Sequence, residues 1–183
     1  MYRCFLIFIL SVLYRDSIIC QSISISDDIN IRSDNGYELL GRYKSNILLY
    51  RDKLAESEIV AFDDQMRIRW QKNIVFEDRR PLILDVIGGK DYFSLAYRAK
   101  NKTGFIVKIS RFDAAANFVD SIVAVSYGMR PNNPTPRCVY SENRKALLIY
   151  NYDQNERIEA AVVDLDNLKV LWTKNIDLKE NRR

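Results

Sequence analysis

Trp172-Thr173-Lys174-Asn175-Ile176 is the stretch that decides the fold, because it has a close copy in Trp70-Gln71-Lys72-Asn73-Ile74. A weaker third copy is Phe118-Val119-Asp120-Ser121-Ile122, so an aromatic residue precedes isoleucine by four positions three times. Upstream of each copy lies an apolar run that ends in tyrosine. These tyrosines are 47 and 53 residues apart: Tyr50, Tyr97 and Tyr150. Repetition at this spacing is typical of a repeated supersecondary unit.

Each repeat contains four short segments that are apolar runs or alternate apolar and polar residues, and polar turns separate them. Alternation with period two predicts half-buried strands. The predicted strands are 38–43, 47–50, 59–62 and 66–70 in the first repeat, 82–87, 92–97, 105–109 and 117–125 in the second, and 137–140, 146–152, 159–164 and 169–176 in the third. The sequence therefore predicts an all-β fold of antiparallel four-stranded repeats.

Three further local predictions concern the first repeat and the chain before it. Residues 23–32 alternate Ile and Ser, then Ile and Asn, which predicts an additional strand. Ser33-Asp34-Asn35-Gly36 has the composition of a turn, and the charged segment Arg51–Glu58 is expected to be a turn between strands.

A family resemblance is carried by Val162-Val163-Asp164-Leu165-Asp166-Asn167-Leu168-Lys169-Val170-Leu171-Trp172. It resembles the blade repeat of PQQ-like and WD-like β-propellers, in which an Asp ends one strand and a Trp closes the next. The distance from Asp164 to Trp172 matches that repeat, whereas Asp63 to Trp70 is one residue shorter. Leu168 stands where the family carries glycine, and the second repeat is interpreted as having neither Asp nor Trp.

The resemblance implies a partial β-propeller in residues 23–183, with blades at 37–76, 82–125 and 137–178. Trp70, Phe118 and Trp172 would then fill the gaps between blades. Closed propellers have about four to eight blades, so a partner chain, a second copy forming a homodimer, or more of a longer protein would complete the ring. A two-sheet β-sandwich of the same strands is the alternative.

Residues 1–22 are predicted to be a secretory signal or membrane-targeting segment. Arg3 precedes an apolar run from Cys4 to Tyr14, which has the length of a signal-peptide core and is short for a membrane span. Cleavage would follow Cys20 or Ser22. An uncleaved anchor is one alternative, and acylation of Cys20, as in a bacterial lipoprotein, is another.

Composition narrows the classes of function. The chain has 183 residues and no histidine, which removes the usual general base and the commonest transition-metal ligand. The net charge is only +4, and basic residues alternate with acidic ones, so a nucleic-acid partner is not expected. Loss of residues 1–22 would leave Cys138 as the remaining cysteine, without an intrachain disulfide, which suits a bacterial envelope protein.

No local motif predicts a catalytic, cofactor or metal site. Adjacent residues on a strand point to opposite faces, so the pairs Asp27-Asp28 and Asp63-Asp64 form no acid–base couple. Gly88-Gly89 is interpreted as a hairpin turn, and Asn101-Lys102-Thr103 fits a glycosylation acceptor in an exposed turn. The irregular segment 128–136 is either a contact loop or a connector between blades.

The sequence thus predicts an exported, non-catalytic propeller-like binding or scaffold module of the cell envelope, secreted or periplasmic, with a protein or glycan ligand. Membrane contact would involve only the amino-terminal segment. Two alternatives stay open: a fragment of a quinoprotein-type enzyme, and a truncated propeller without independent function.

Overall fold

All regular secondary structure in the described part of the chain is β-strand. The computed structural model describes residues 23–30, 32, 34–53, 56–78, 81–128, 135–153 and 157–178. The predicted all-β class is confirmed over these residues, and they contain no helix suited to crossing a membrane. The predicted signal segment 1–22, with Cys20, lies outside them. The strands are β1 (Asp34–Tyr43), β2 (Asn46–Lys53), β3 (Ser57–Phe62), β4 (Ile68–Ile74), β5 (Leu82–Gly88), β6 (Tyr92–Lys100), β7 (Gly104–Asp113), β8 (Phe118–Gly128), β9 (Arg137–Tyr140), β10 (Ala146–Asp153), β11 (Arg157–Asp164) and β12 (Lys169–Asp177).

The strands form three four-stranded sheets, and each sheet is a meander in which every strand pairs antiparallel with the next one. The first sheet contains β1–β4, the second β5–β8 and the third β9–β12. Hairpins join successive strands because each polar turn is too short for a crossover connection. The prediction of antiparallel four-stranded repeats is confirmed.

The three sheets are packed in chain order around two hydrophobic cores. One core lies between the first and second sheets, and the other lies between the second and third. At one edge of these cores β1 lies beside β5, and β5 lies beside β9. A Cβ on Gly88 would be 2.4 Å from the carbonyl oxygen of Leu40, so only glycine permits this approach of β5 to β1.

The same turn connects the third and fourth strands of every sheet. The Oδ1 atom of Asp63 accepts hydrogen bonds from the amides of Gln65 and Arg67, at 2.8 and 3.0 Å. In the other two sheets, the Oδ1 atoms of Asp113 and Asp164 likewise accept a hydrogen bond from the amide two residues later. The second repeat therefore does carry the aspartate, as Asp113, which corrects the interpretation that it has none.

A left-handed residue follows each of these aspartates. The positions are Met66, Ala116 and Leu168, with φ of 61°, 55° and 50°. Glycine adopts this conformation with little strain, so these three positions favour glycine although none of them carries it. Asp164 precedes its left-handed residue by four positions instead of three. That extra residue accounts for the longer distance from Asp164 to Trp172.

These turns predict an acid-sensitive fold. A hydrogen bond from the amide of Arg67 lowers the pKa of Asp63, and the Asn167 side chain lowers that of Asp164. Burial raises the pKa of Asp113, but hydrogen bonds from Asn117 and Ala115 outweigh it, so the net pKa is lowered. A depressed pKa in the folded state stabilises the protein above the unfolded-state pKa of about 4 and loses that contribution as the pH falls.

We therefore expect the free energy of unfolding to fall as the pH decreases from about 5 to about 2. Urea titrations at a series of pH values measure this. The triple variant Asp63→Ser, Asp113→Ser and Asp164→Ser should retain its β-sheet circular dichroism at neutral pH and show a shallower decline in acid. A decline as steep as that of the wild type would contradict this assignment.

Several local predictions about the first repeat are wrong. Residues 23–30 form no strand, because they pair with no neighbouring strand. Asp34, Asn35 and Gly36 belong to β1 and not to a turn. The turn predicted at Arg51–Glu58 is too wide, because β2 extends to Lys53 and β3 begins at Ser57. Arg51 and Glu58 are paired residues of these strands, and both side chains are buried.

The strand register corrects the alignment of the second repeat. Phe118 pairs with Phe112, directly before Asp113, whereas Trp70 pairs with Ala61, two residues before Asp63. The structural counterpart of Trp70 is therefore Asp120, which pairs with Arg111. By the same counting Ala96, and not Tyr97, corresponds to Tyr50 and Tyr150, so Tyr97 points to the opposite face of its sheet.

Candidate docking surface on the third sheet

Each sheet has two faces, which the register defines. In the first sheet, one face carries Leu48, Tyr50, Ile59, Ala61 and Trp70, because paired residues share a face. We call this the leading face. It packs against the second sheet, in the core that also contains Phe93, Leu95, Tyr97 and Phe112. Those four residues lie on the opposite face of the second sheet, which we call the trailing face.

The second interface repeats this arrangement. Ala96 and Ile109 lie on the leading face of the second sheet and belong to the core shared with the third sheet. Leu147, Ile149 and Val163 belong to the same core and lie on the trailing face of the third sheet. Both interfaces therefore place a leading face on the trailing face of the next sheet.

The leading face of the third sheet has no sheet packed against it among the described residues. By register it carries Leu148, Tyr150, Ala160, Val162 and Trp172. Trp172 is 47 % exposed, and Val139 and Tyr152, which lie on the same face, are 47 % and 51 % exposed. The expectation that Trp172 fills a gap between blades is therefore wrong for this structure, and Phe118 is more exposed still, at 61 %. Trp70 does pack against the first core.

The open face copies the face by which the first sheet is docked. Counted from the turn aspartates, Leu148, Tyr150 and Trp172 occupy the places of Leu48, Tyr50 and Trp70, and Ile176 occupies the place of Ile74. The residues at the remaining core positions differ but are also apolar: Ala160 replaces Ile59 and Val162 replaces Ala61. A surface with this composition is suited to burial against another sheet.

A cation accompanies each of the two internal interfaces. Lys72, on the leading face of the first sheet, donates to Oδ1 of Asn117 at 2.6 Å and to the Ala115 carbonyl at 3.4 Å. Arg111, on the leading face of the second sheet, donates to the carbonyls of Leu165 and Asp166. In both cases the acceptor is the aspartate turn of the next sheet.

Lys174 is the counterpart of Lys72 on the third sheet. It pairs across the strands with Ala160, as Lys72 does with Ile59, and its side chain is exposed without an acceptor among the described residues. The open face thus presents the apolar residues of a docked leading face together with its cation. An open cavity of ≈ 600 Å³ borders this face, lined by Thr135, Pro136, Arg137, Tyr150 and Tyr152.

The residues singled out as motifs have structural roles elsewhere. Asp27 caps the amide of Ile68, and Asp64 pairs with Arg42 at the surface. Asn101 bonds Thr103 within an exposed turn. The irregular segment 128–136 is described only at Gly128, Thr135 and Pro136.

Burial keeps the cysteine and tyrosine side chains between the second and third sheets protonated at neutral pH. Burial, with a smaller effect from Asp85, raises the pKa of the free thiol of Cys138 to about 12, so the thiolate is scarce at neutral pH. Burial likewise raises the pKa of Tyr127 and Tyr140. Among the described residues, no cluster of His, Cys, Asp and Glu is arranged to hold a metal ion.

Comparisons with known proteins give two structural similarities. The uncharacterized protein lmo1340 from Listeria monocytogenes EGD-e superimposes with a TM-score of 0.45 at 12 % identity, over 82 % of this chain and 41 % of that one. Kuenenia stuttgartiensis hydrazine synthase superimposes with a TM-score of 0.31 at 12 % identity, over 86 % of this chain and 52 % of that one. The chain thus spans about half or less of these longer proteins. No family model and no curated protein sequence matches it.

Proposed function

We propose that this chain is an exported, non-catalytic, propeller-like module that binds a protein or glycan partner at the cell envelope. The partner docks on the leading face of the third sheet. The observation that carries this proposal is the exposure of Tyr152 and Trp172 on a face whose counterpart in the first sheet is buried. Exposed apolar patches of this kind mark interaction sites in soluble proteins.

The composition of the face supports binding and not catalysis. Trp172, Tyr150 and Tyr152 supply aromatic area at low cost in side-chain entropy, and aromatic residues dominate both protein interfaces and sugar-stacking surfaces. Arg137 and Lys174 are charged residues at its margin. The stacking of three similar sheets, with first strands adjacent, supports a propeller-like arrangement in which this face is the next docking position.

Site-specific photocrosslinking in the producing cell tests the proposal. A photoreactive residue at Tyr152 should give a covalent adduct with a protein or glycan, and the adduct should be found in the secreted or envelope fraction. The same residue at Lys102, in an exposed turn of the second sheet, is the matched control and should give little product. Trp172→Asp should abolish the adduct from position 152.

Two outcomes would count against the proposal. Equal yields from positions 152 and 102 would show that the third sheet is not a preferred surface. An adduct that persists in the Trp172→Asp variant would show that binding does not use the leading face.

A further inference from the structure

One face of the first sheet resembles the face by which the second sheet receives its neighbour. The leading face of the third sheet is open, as described above. On the trailing face of the first sheet, Ile47, Leu49, Phe62 and Ile68 occupy the places that Phe93, Leu95, Phe112 and Phe118 occupy in the second sheet. The trailing faces of the second and third sheets each receive a leading face in this structure. The first sheet therefore offers a receiving surface with the same apolar positions, next to which Arg51 and Glu58 stand in the places of Tyr97 and Lys108.

Residues 23–30 lie across that receiving surface, and we call them the strap. The Asp27 amide donates to the Met66 carbonyl at 3.3 Å, and Oδ2 of Asp27 accepts from the Ile68 amide at 3.1 Å. Three residues later the Asn30 carbonyl accepts from Nη2 of Arg51 at 2.6 Å. Ile68 begins β4 and Arg51 lies near the far end of β2, so the strap runs diagonally over the sheet.

The strap is attached mainly through these polar contacts. Ile23 and Ile25 are 87 % and 84 % exposed, and Ile29 is its half-buried apolar residue. A segment that forms no strand pairs and buries little apolar surface opens at low free-energy cost. Val60 and Phe62, on the same face of the first sheet, are buried and apolar, which suits packing against another sheet.

We propose that the partner of the open face is a second copy of this chain. The leading face of its third sheet docks on the trailing face of the first sheet, and the strap has to be displaced first. Lys174 then reaches the Gln65 carbonyl, which stands where Lys72 finds the Ala115 carbonyl. Arg67 occupies the place of Asn117 but is paired with Asp63. This inference rests on the proposed function, because it uses the same surface and names its occupant.

The experiment uses two versions of the full chain that complement each other. The receiver carries Asp27→Ala and Ile29→Ser, which loosen the strap, together with Trp172→Asp, which disables its own leading face. The donor is the wild type, with an intact leading face and a fastened strap. Head-to-tail docking predicts that each is monomeric alone and that the mixture forms a one-to-one complex, measured by light scattering after size exclusion.

Amide hydrogen exchange shows whether the strap has been loosened. The Ile68 amide should exchange faster in the receiver than in the wild type, because its acceptor on Asp27 is gone. The matched control replaces Ile25 by serine and Asp28 by alanine, two exposed strap residues. The control receiver carries these two changes instead of Asp27→Ala and Ile29→Ser. Its Ile68 amide should stay protected from exchange, and its affinity for the donor should equal that of a receiver with an unchanged strap. We expect the loosened receiver to bind the donor about tenfold or more tightly than the control receiver does.

The remaining outcomes decide the proposal. With the strap loosened and Trp172 retained, dimers or longer head-to-tail assemblies are expected. Absence of a complex when the Ile68 amide is exposed would overturn the proposal, as would a complex that survives Trp172→Asp in the donor. Dimerisation of the wild type by itself would contradict the proposal that the strap has to be displaced before docking. If the receiver and donor do not associate but crosslinking to another molecule still depends on Trp172, the proposed function is retained and a second copy is excluded as the partner.

Discussion

Replacing Arg51 by alanine is expected to lower the free energy of unfolding by about 3–5 kcal/mol, a large part of the about 5–15 kcal/mol typical of a domain. The Arg51 guanidinium donates to both carboxylate oxygens of Asp34, at 2.8 and 3.0 Å, and to Oε2 of Glu58 at 3.1 Å. All three side chains are less than 10 % exposed. The alanine variant would leave Asp34 buried without its cation, and an uncompensated buried charge is strongly destabilising.

Urea unfolding of the full chain, followed by circular dichroism, measures this loss. Lys53→Ala is the control, because Lys53 pairs with the same Glu58 but is partly exposed, and a loss of about 0–1 kcal/mol is expected there. Adding Asp34→Asn to Arg51→Ala should recover part of the loss, since it removes the buried charge that the first change leaves without its cation. A loss of less than about 1 kcal/mol for Arg51→Ala would mean that this cluster is not an important part of the first sheet.

The Arg51 cluster also shows where inference from sequence stops. Charges concentrated between residues 51 and 58 indicated a turn, because charged side chains are seldom buried. Their burial depends on Asp34, which is 17 residues away in the chain and meets Arg51 only when β1 pairs with β2. One local signal was available: Ile47, Leu49 and Arg51 continue a single period-two face, which places Arg51 inside the strand.

Strand number and sheet order could be predicted because alternation and polar turns are local properties of the chain. The face of the sheet on which each side chain lies could not be predicted, because a shift of one residue moves a side chain to the opposite face. Tyr97 has the same sequence context as Tyr50 but is one position out of register with it. The candidate surface was missed for a related reason. An aromatic residue at Trp172 predicts burial, and only the arrangement of the sheets shows that none covers it.

The second large effect is expected at the interface between the first and second sheets, where Phe93→Ala should cost about 3–5 kcal/mol. Phe93 has no exposed surface, stacks on Phe112 at a centroid distance of 5.3 Å and meets the edge of Tyr43 at 6.3 Å. Truncation leaves a cavity between two sheets and removes two aromatic contacts. Phe118→Ala is the matched control, because Phe118 touches the same Phe112 but is 61 % exposed, and a loss of about 1 kcal/mol or less is expected.

Two single-tryptophan variants would locate the effect of Phe93→Ala. Trp70 reports on the first interface, and Trp172 reports on the third sheet, which does not contact Phe93. In stacked repeats stability depends on nearest-neighbour interfaces, so the Trp70 transition should move to lower urea by at least as much as the Trp172 transition. Equal shifts would mean that the three sheets unfold as one unit. A shift confined to Trp172 would contradict the packing, because among the described residues Phe93 belongs to the core against which Trp70 packs and not to the core of the third sheet.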